Sequence, residues 1–309
     1  MSQIKLLYPF ACHHFVTFFR DMADCMIEEG FEARPSAAIP WRVRSVVSHL
    51  GLCRKLPFVK AKEPVVVLCG GYPDIYALPC AWTHEIIPVL WDTWPKYWPK
   101  LLASLKRLKV KKAIFTQRQV CEYVQKQLPE VECHYMPEAV KPDKYDLGED
   151  FTPLAERSID VLEFGRRHHT FHEEAMKGEY TILFQGKTLV FPTDEDFKRG
   201  LNDSKIVVCF PQCMTNPEYA GEVETLTQRY WEGMFSRSVI LGHAPKELVD
   251  LVGYNPVVEV DWENIPEQIT EILTNIADYQ DLVDKNYRTA HQFGDWHSRA
   301  AYLKKILNP

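Results

Sequence analysis

An alternation of apolar, β-branched runs with segments of helical periodicity constrains the fold of this chain more than any other feature. The clearest run, 65–69, reads Val-Val-Val-Leu-Cys, and Gly70 and Gly71 follow it. A parallel strand that is buried on both faces has such a continuous apolar sequence, and glycines are typical of the tight loop after it. Between 15 and 29, by contrast, aromatic and Met side chains recur every three or four residues, which is the period of a helix. Strands that alternate with helices predict an α/β fold with parallel sheets.

The same alternation occurs twice along the chain. In the first half it predicts a basic helix that ends near 108, helices at 15–29 and 119–127, and strands at 4–9, 65–71, 86–92, 112–115 and 133–136. In the second half it predicts helices at 197–201, 228–235 and 246–252, a helical tail at 266–307, and strands at 158–165, 181–185, 206–210, 238–241 and 257–260. Between them, 137–152 contains two prolines, a glycine and no apolar period. This break divides the chain into two halves of similar size.

A length of 309 residues also fits two domains, at roughly 150 residues each. We therefore predict two Rossmann-like α/β domains, 1–150 and 151–292, that face each other across a cleft. In open α/β sheets a ligand binds at the carboxyl ends of the strands. The cleft between two such edges is the expected site.

Composition narrows the class of protein. Charged residues make up 25% and hydrophobic residues 46% of the chain, as in an ordinary soluble globular protein. No apolar run approaches the roughly 18 residues of a membrane span, and no signal-peptide pattern opens the sequence. The nine cysteines are scattered and form no Cys-x-x-Cys pair, which argues against a zinc site and favours a reducing, cytoplasmic compartment.

The stretch 221–234 carries the most informative chemistry. Glu224 and Glu232 are separated by seven residues, and Thr225 and Thr227 can cap the helix that follows them. A helix N-terminus attracts phosphate through its N–H groups and its dipole. Carboxylates on either side of a bound phosphate can accept hydrogen bonds from hydroxyls, so the stretch fits a nucleoside diphosphate sugar. The alternative is a pair of surface glutamates near a helix start, where acidic residues are favourable in any protein.

Glu224-x7-Glu232 followed by Gly233-Met234 resembles the E-x7-E-(A/G)-M motif of retaining glycosyltransferases of the GT-B fold, the large group 1 or family-four type. Three flanking segments also resemble parts of that superfamily, namely its interdomain segment, its Gly-Arg turn and the strand after the motif: 136–145, 164–166 and 238–241. The resemblance covers most of 85–260. It implies that the first domain binds the acceptor, that the second binds the donor, and that the last helix, about 293–309, packs back onto the first domain.

The resemblance also implies roles for individual residues. Glu232 would bind the ribose hydroxyls of a nucleotide-sugar donor, and Glu224 would contact hydroxyls of the transferred sugar. The backbone of Leu226 and Thr227 would hold the diphosphate, and Arg166 would neutralise the leaving phosphate. The implied reaction retains the anomeric configuration, uses a UDP- or GDP-linked sugar, and needs neither a metal ion nor a further cofactor.

One departure from the family pattern concerns the lysine that usually follows the arginine by five residues. That position is Phe171 here. Three residues could replace the missing lysine, and the sequence does not choose among them: Arg167, Lys205 and Arg229. A nearby group of histidines has the spacing of metal ligands but lacks an acidic partner pattern, so a polar loop or a substrate contact is the alternative: His168, His169 and His172.

The first half of the chain also contains candidate binding residues, which lie at the ends of predicted strands. Asp92 closes the predicted strand 86–92, and His13 and His14 follow the predicted strand 4–9, so all three are expected to face the cleft and contact the acceptor. The acceptor class stays open among glycans, lipid-linked molecules and small molecules.

The window 94–112 has seven Lys or Arg and no acid, with Trp and Leu residues between them. It predicts either a solvated helix face or a peripheral contact with the inner face of a membrane. A net charge of −6 and the lack of a known module argue against nucleic acid as a partner.

These observations together predict a glycosyltransferase. Three alternatives stay open at this point: an epimerase or phosphorylase of the same fold, a non-catalytic nucleotide-sugar-binding protein, and a peripheral membrane scaffold.

Overall fold

The computed structural model of the protein describes residues 4–9, 17–60, 62–186 and 189–307. The chain forms two compact units. The first draws on Met1–Pro137, Tyr219–Val223 and Arg299–Pro309, and the second on Glu138–Glu218 and Glu224–Ser298. His13 and His14 lie outside the described residues, so their predicted role stays a prediction.

Within the described residues, the first unit contains a six-stranded parallel sheet of order β2-β1-β3-β4-β5-β6. Its strands are β1 (Lys5–Tyr8), β2 (Glu32–Pro35), β3 (Lys62–Gly70), β4 (His84–Trp91), β5 (Lys112–Phe115) and β6 (Glu132–Tyr135). The apolar run 65–69 lies at the centre, where Val66 pairs with Leu6 on one side and with Ile87 on the other. Helices cover both faces of a parallel sheet, which explains why this run has no polar alternation.

The first unit has helices α1 (Phe18–Glu28), α2 (Trp41–His49), α3 (Trp98–Leu108) and α4 (Arg118–Gln127). Helix α3 lies in the basic window and buries Leu101, Leu105 and Leu108. These leucines therefore belong to the core of the unit and cannot insert into a membrane. Among the described residues, no helix has the length and apolar character needed to span a bilayer.

Two elements of the first unit were not predicted from the sequence. Strand β2 is short, carries Glu32 and Arg34 and ends on Pro35, as suits its place at the edge of the sheet. Helix α2 buries Arg44, whereas four apolar residues recur at helical spacing without lying in the core: Val43, Val46, Val47 and Leu50. Strand β2 thus lacks the apolar pattern on which a prediction from sequence relies, but α2 has a helical pattern that was missed from the sequence.

The second unit contains a five-stranded parallel sheet of order β11-β10-β9-β7-β8 among the described residues. Its strands are β7 (Ile159–Phe164), β8 (Ile182–Gln185), β9 (Ser204–Cys209), β10 (Val239–Gly242) and β11 (Val258–Glu259). Strand β7 pairs with both β8 and β9, so the chain reverses its direction of travel across the sheet between β7 and β9. Two α/β units with parallel sheets confirm the predicted fold class of two Rossmann-like domains.

The helices that follow along the chain are α5 (His169–Ala175), α6 (Asp194–Asn202), α7 (Gln212–Thr215), α8 (Pro217–Ala220), α9 (Gln228–Phe235), α10 (Lys246–Val252), α11 (Ile265–Thr274), α12 (Gln280–Phe293) and α13 (Trp296–Leu307). Helix α9 packs against β9 and β10 with Tyr230 and Trp231 fully buried. A Cβ at Gly233 would lie 2.9 Å from Val207 and 3.0 Å from Ile240. The glycine of the E-x7-E-G-M stretch thus lets the helix approach the sheet closely.

The division between the units falls after Pro137, at the beginning of the stretch 137–152 that the sequence marks as a break. Residues 138–150 group with the second unit because its helices hold them. Trp231 donates from Nε1 to the carbonyl of Glu138 at 2.8 Å, and Asn202 donates to the carbonyl of Tyr145 at 2.7 Å. The end of α13 groups with the first unit, where Lys304 pairs with Glu29 at 3.2 Å.

Candidate functional site

The point where the strand order reverses in the second unit lies between the carboxyl ends of β7 and β9. Ligands of doubly wound sheets bind at such a switch point. Strand β7 ends in a turn at Gly165, whose φ of +72° is a left-handed conformation that favours glycine. A Cβ at this position would also lie 3.2 Å from Cδ of Arg229. The backbone of the turn and the side chain of Arg229 are therefore fitted to each other.

Arg229 spans the switch point. Its guanidinium donates from Nη2 to the carbonyl of Phe210 at 2.8 Å, after β9, and from Nη1 to the carbonyl of Arg166 at 3.2 Å, after β7. The residue is only 8% exposed. Uncharged carbonyl oxygens hold this cation in place, so its position at the switch point is fixed. Of the three candidate replacements for the missing lysine, Arg229 has the most suitable position.

The start of α9 and the residues just before it contain buried polar atoms for which the described part of the chain offers no hydrogen-bond partner. Thr225 and Thr227 are 2% and 9% exposed, and neither hydroxyl has a hydrogen-bond partner among the described residues. The same holds for Nε2 of Gln228 within that part of the chain. Buried polar atoms are nearly always hydrogen-bonded in native proteins, so three orphans in four residues call for an explanation. A bound polar ligand provides one.

The backbone of Leu226 does not fit the role that the resemblance implies. Its N–H donates to Oε1 of Glu247, a buried carboxylate on α10. This N–H is already used within the protein, so it is not available to a diphosphate. Thr227 occupies the N-cap position of α9 but makes no side-chain capping hydrogen bond there, and its predicted contact with the diphosphate stays a prediction.

Glu224 lies at the end of β10, where His243 and α10 fix its orientation. Its Oε1 is 2.9 Å from Nε2 of His243, and its Oε2 accepts a 2.7 Å hydrogen bond from the backbone N–H of Lys246. The other ring nitrogen of His243, Nδ1, lies 2.9 Å from Glu259. Partial burial by itself lowers the pKa of His243, but the hydrogen bonds to Glu224 and Glu259 outweigh it and raise that pKa above its ordinary value.

His243 was missed from the sequence, although a signal was present. The residue comes two positions after the predicted strand 238–241 and therefore at a carboxyl edge, as Asp92 does. Glycine precedes it because Gly242 has a φ of +153° and a Cβ there would lie 1.9 Å from the carbonyl oxygen of Cys209. His243 joins the candidate site through its contact with Glu224.

Glu232 lies on α9, where it is 8% exposed. It is close enough to Cys209 to affect that thiol: burial raises the pKa of Cys209 to about 12, Arg229 opposes the rise, and Glu232 adds to it. Glu232 and Arg229 thus place opposite charges around the end of β9. The structure brings these two residues of the predicted site together.

Arg167 is engaged elsewhere. Its Nε lies 3.5 Å from the buried carboxylate of Glu163, and its guanidinium stacks 3.6 Å from the ring centre of Phe184. His172 also contacts Glu163, with Nδ1 2.6 Å from Oε2. Burial raises the pKa of Glu163, and the contacts with His172 and Arg167 offset only part of that rise. Arg167 and His172 therefore serve a buried acid, whereas Arg166 is exposed at the turn.

Lys205 does not belong to the candidate site. It is the second residue of β9 and pairs with Asp160, near the start of β7, at 2.9 Å. Parallel strands place these two residues at the amino ends, whereas the switch point lies at the carboxyl ends. The prediction of Lys205 as a phosphate ligand is corrected on this ground.

Three aromatic side chains meet at the carboxyl edge of the second sheet. His168 packs 5.0 Å from Phe210 and 4.8 Å from Trp262, measured between ring centres. His168 also caps α5 by accepting a hydrogen bond from the backbone N–H of Phe171. Burial lowers the pKa of His168, which favours its neutral form. Trp262 is 42% exposed, so the group presents a flat aromatic surface to solvent.

The first unit has a different carboxyl edge. Asp92 follows β4 with a φ of +50° and is exposed. Burial raises the pKa of Tyr76 to about 12, and the negative charge of Asp92 contributes. Beyond it, the hydroxyl groups of Tyr97 and Tyr219 lie 3.0 Å apart, and Lys96 packs 3.3 Å from the ring centre of Tyr219.

No protein-family model and no curated protein matches the sequence. Solved structures do match. Sucrose-phosphate synthase from Thermosynechococcus elongatus has a TM-score of 0.64 at 11% identity, with 99% of this chain and 98% of that chain covered. HepE from Anabaena, solved with UDP and glucose, has a TM-score of 0.62 at 10% identity over 99% of both chains. A glycosyltransferase from Rickettsia africae has a TM-score of 0.61 at 11% identity, with 99% and 98% covered. The chain therefore has the GT-B fold of these glycosyltransferases.

Proposed function

We propose that the chain is a glycosyltransferase that moves a sugar from a UDP- or GDP-linked donor to a glycan, a lipid-linked molecule or a small molecule. The start of α9 carries this proposal. There, the hydroxyls of Thr225 and Thr227 and the amide of Gln228 lack partners among the described residues. A diphosphate offers the acceptor oxygens that these donors need, and it would be close to a fixed cation, Arg229. The fold shared with HepE, which was solved with UDP and glucose, supports a donor of this type.

The expected chemistry is stabilisation of the leaving group. When the bond between the sugar C1 and the phosphate oxygen breaks, negative charge grows on the diphosphate and positive charge on the sugar. Three groups would stabilise that negative charge: the dipole at the N-terminus of α9 and the cations Arg229 and Arg166. Such electrostatic stabilisation of the leaving group is often the largest single contribution to catalysis. Because these groups supply positive charge from the protein, we expect transfer to proceed without a metal ion.

The two glutamates would orient the donor on either side of the diphosphate. Glu232, buried beside the switch point, would accept hydrogen bonds from the ribose hydroxyls. Glu224 would accept from hydroxyls of the transferred sugar, since His243 and the N–H of Lys246 already hold it in one orientation. The acceptor oxygen then bonds to C1 on the face the diphosphate leaves, and its proton passes to a phosphate oxygen. This path retains the configuration at C1.

The aromatic group formed by His168, Phe210 and Trp262 would stack against the nucleobase. An exposed ring beside a largely neutral histidine is a suitable surface for a flat, uncharged base. Asp92, at the carboxyl edge of the first unit, would contact the acceptor hydroxyl.

The first experiment is a thermal-shift and calorimetric screen of the purified chain against UDP, GDP and ADP. We expect UDP or GDP to bind, and we expect Glu232→Gln to weaken binding about tenfold because it removes one charge-assisted hydrogen bond. Glu271→Gln, an exposed glutamate on α11, is the matched control and should leave affinity unchanged. If none of the three nucleotides binds, the proposal fails.

A second experiment separates transfer from the other activities that this fold supports. The chain is incubated with the nucleotide sugar that binds, with and without an acceptor panel. Conversion of the donor sugar without an acceptor would identify an epimerase. Binding without consumption under any condition would identify a non-catalytic binding protein.

A further inference from the structure

Helix α2 of the first unit is folded with its apolar side chains outward. An ordinary surface helix buries its apolar stripe and exposes its charges. In α2, the one buried residue among the nine is Arg44, whereas Trp41, Val43 and Val46 are 58%, 49% and 56% exposed.

The buried arginine explains how such a helix stays attached. Arg44 donates from Nη1 to the carbonyl of Ile75 at 2.6 Å and from Nε to the carbonyl of Ile39 at 3.0 Å. It also donates from Nη2 to the hydroxyl of Ser36 at 3.2 Å. Polar bonds fix α2 to the unit, so its apolar side chains are not needed for that purpose.

The loop after α2 repeats this arrangement. Two hydrogen bonds to Trp82 fix the backbone of this loop. The indole Nε1 of Trp82 donates to the carbonyl of Leu52 at 3.0 Å, and the backbone carbonyl of Trp82 accepts from the N–H of Leu56, also at 3.0 Å. Cys53 is fully buried and donates to the carbonyl of Asp74. Between these attachments, four large side chains are exposed: Leu50, Leu52, Leu56 and Phe58.

The charge of this segment has one sign. From Ala33 to Lys62 the sequence contains seven Lys or Arg and no Asp or Glu. Apart from Arg44 and the half-buried Lys55, these cations are exposed, and they alternate with the exposed apolar residues: Arg34, Arg42, Arg54, Lys60 and Lys62. We call the exposed side chains of 41–58 the docking surface.

Large apolar side chains with cations between them, and no acid, are the composition of a surface that lies on an anionic bilayer. The apolar groups enter the boundary between headgroups and acyl chains, and Lys or Arg reach the lipid phosphates. The basic window 94–112 has a similar composition but lacks this property, because Leu101, Leu105 and Leu108 are buried. We propose that the docking surface of α2 and the following loop binds the first unit to a membrane that contains anionic lipids.

The test uses the full chain and flotation with vesicles of phosphatidylcholine, with or without phosphatidylglycerol. We expect binding to the anionic vesicles that high salt reverses, and little binding to phosphatidylcholine alone. Trp41→Ser with Phe58→Ser should reduce binding at least about tenfold, since it removes two inserted rings. Both side chains are exposed, and the edge-to-face contact of Trp41 with Tyr76 is the one ring contact of these two side chains within the described residues, so the melting temperature should fall only slightly.

A charge-matched pair of variants locates the contact. Arg42→Glu with Arg54→Glu should abolish flotation, whereas Lys106→Glu with Lys126→Glu, on exposed positions of α3 and α4, should leave it within about twofold. Equal loss in both pairs would show attraction by overall charge and would overturn the docking surface. So would the absence of flotation, or a wild-type dimer that Trp41→Ser with Phe58→Ser converts to a monomer. Nucleotide affinity is measured in parallel and should be the same in every variant, so this test is independent of the proposed transferase activity.

Discussion

The carboxyl edges of the two sheets each carry two buried threonines, and the two pairs differ in one respect. In the first unit, Thr93 and Thr116 follow β4 and β5, and their hydroxyls donate to the carbonyls of Trp91 and Leu90 at 3.3 and 3.2 Å. In the second unit, the hydroxyls of Thr225 and Thr227 have no partner among the described residues. The hydroxyls of the first pair are satisfied within the protein, although the nearby Nε2 of buried Gln117 also lacks a partner among the described residues. In the second unit the unsatisfied hydroxyls lie close to the switch point and to the buried cation Arg229, and this difference supports the diphosphate proposed there.

We expect Arg229→Met to have the largest effect on stability and on nucleotide affinity. This change removes a buried cation from carbonyls at the ends of β7 and β9 and leaves those oxygens without donors. We expect unfolding free energy to fall by about 2–4 kcal/mol and nucleotide affinity to fall about a hundredfold, because the charge opposite the diphosphate is gone. Denaturant unfolding measures the change in stability, and calorimetry measures the change in nucleotide affinity. A variant that binds UDP or GDP as tightly as the wild type would show that the switch point is not the phosphate site.

For Asp92→Asn, on the edge of the first unit, we expect a smaller effect that falls on the transfer rate and not on stability or nucleotide affinity. Its carboxylate is exposed, so stability and nucleotide affinity should not change. The rate of transfer at low acceptor concentration should fall about tenfold, as the loss of one charge-assisted hydrogen bond predicts. Steady-state kinetics with the acceptor varied make the measurement. A change in nucleotide affinity instead would contradict the division of labour between the two edges.

The smallest expected effect is a change in how the stability of the protein depends on pH. The pKa of His243 is raised in the folded protein by Glu224 and Glu259. A histidine whose folded pKa exceeds its unfolded value stabilises the protein fully below about pH 6.5 and loses that contribution as pH rises through the folded pKa. We therefore expect wild-type stability to decline as the pH rises above about 6.5, and the decline to be shallower in His243→Gln. Melting curves across this range test it, and parallel profiles would contradict the assigned pairing.

Much of the fold could be predicted because its strands are continuous apolar runs. The predicted ranges 112–115, 228–235 and 246–252 coincide with β5, α9 and α10. The existence of α2 was predictable from the helical spacing of Val43, Val46 and Val47, but its orientation was not, since the buried face carries Arg44 and the valines face outward.

Part of the candidate site could also be predicted, because its residues follow strands that the sequence shows clearly. Residues that end a strand can be recognised from the sequence, as Asp92 shows. The partners that define each role come from distant segments: Arg229 bonds to the ends of two strands, and Glu247 takes the N–H of Leu226. Lys205 was misplaced although the sequence held a signal: it directly precedes the predicted strand 206–210 and therefore lies at the amino end of that strand, away from the carboxyl edge where ligands bind.

The central claim is that the edge of the second unit is completed by a diphosphate, and Thr227→Val tests it most directly. Valine keeps the shape but removes a hydroxyl that makes no hydrogen bond within the described part of the protein. We predict that the melting temperature of the ligand-free protein stays the same or rises, while the affinity for UDP or GDP falls about tenfold. Thr116→Val, the matched control, should lose about 1 kcal/mol of stability and no affinity. Destabilisation of the ligand-free Thr227→Val protein with unchanged nucleotide affinity would contradict the account.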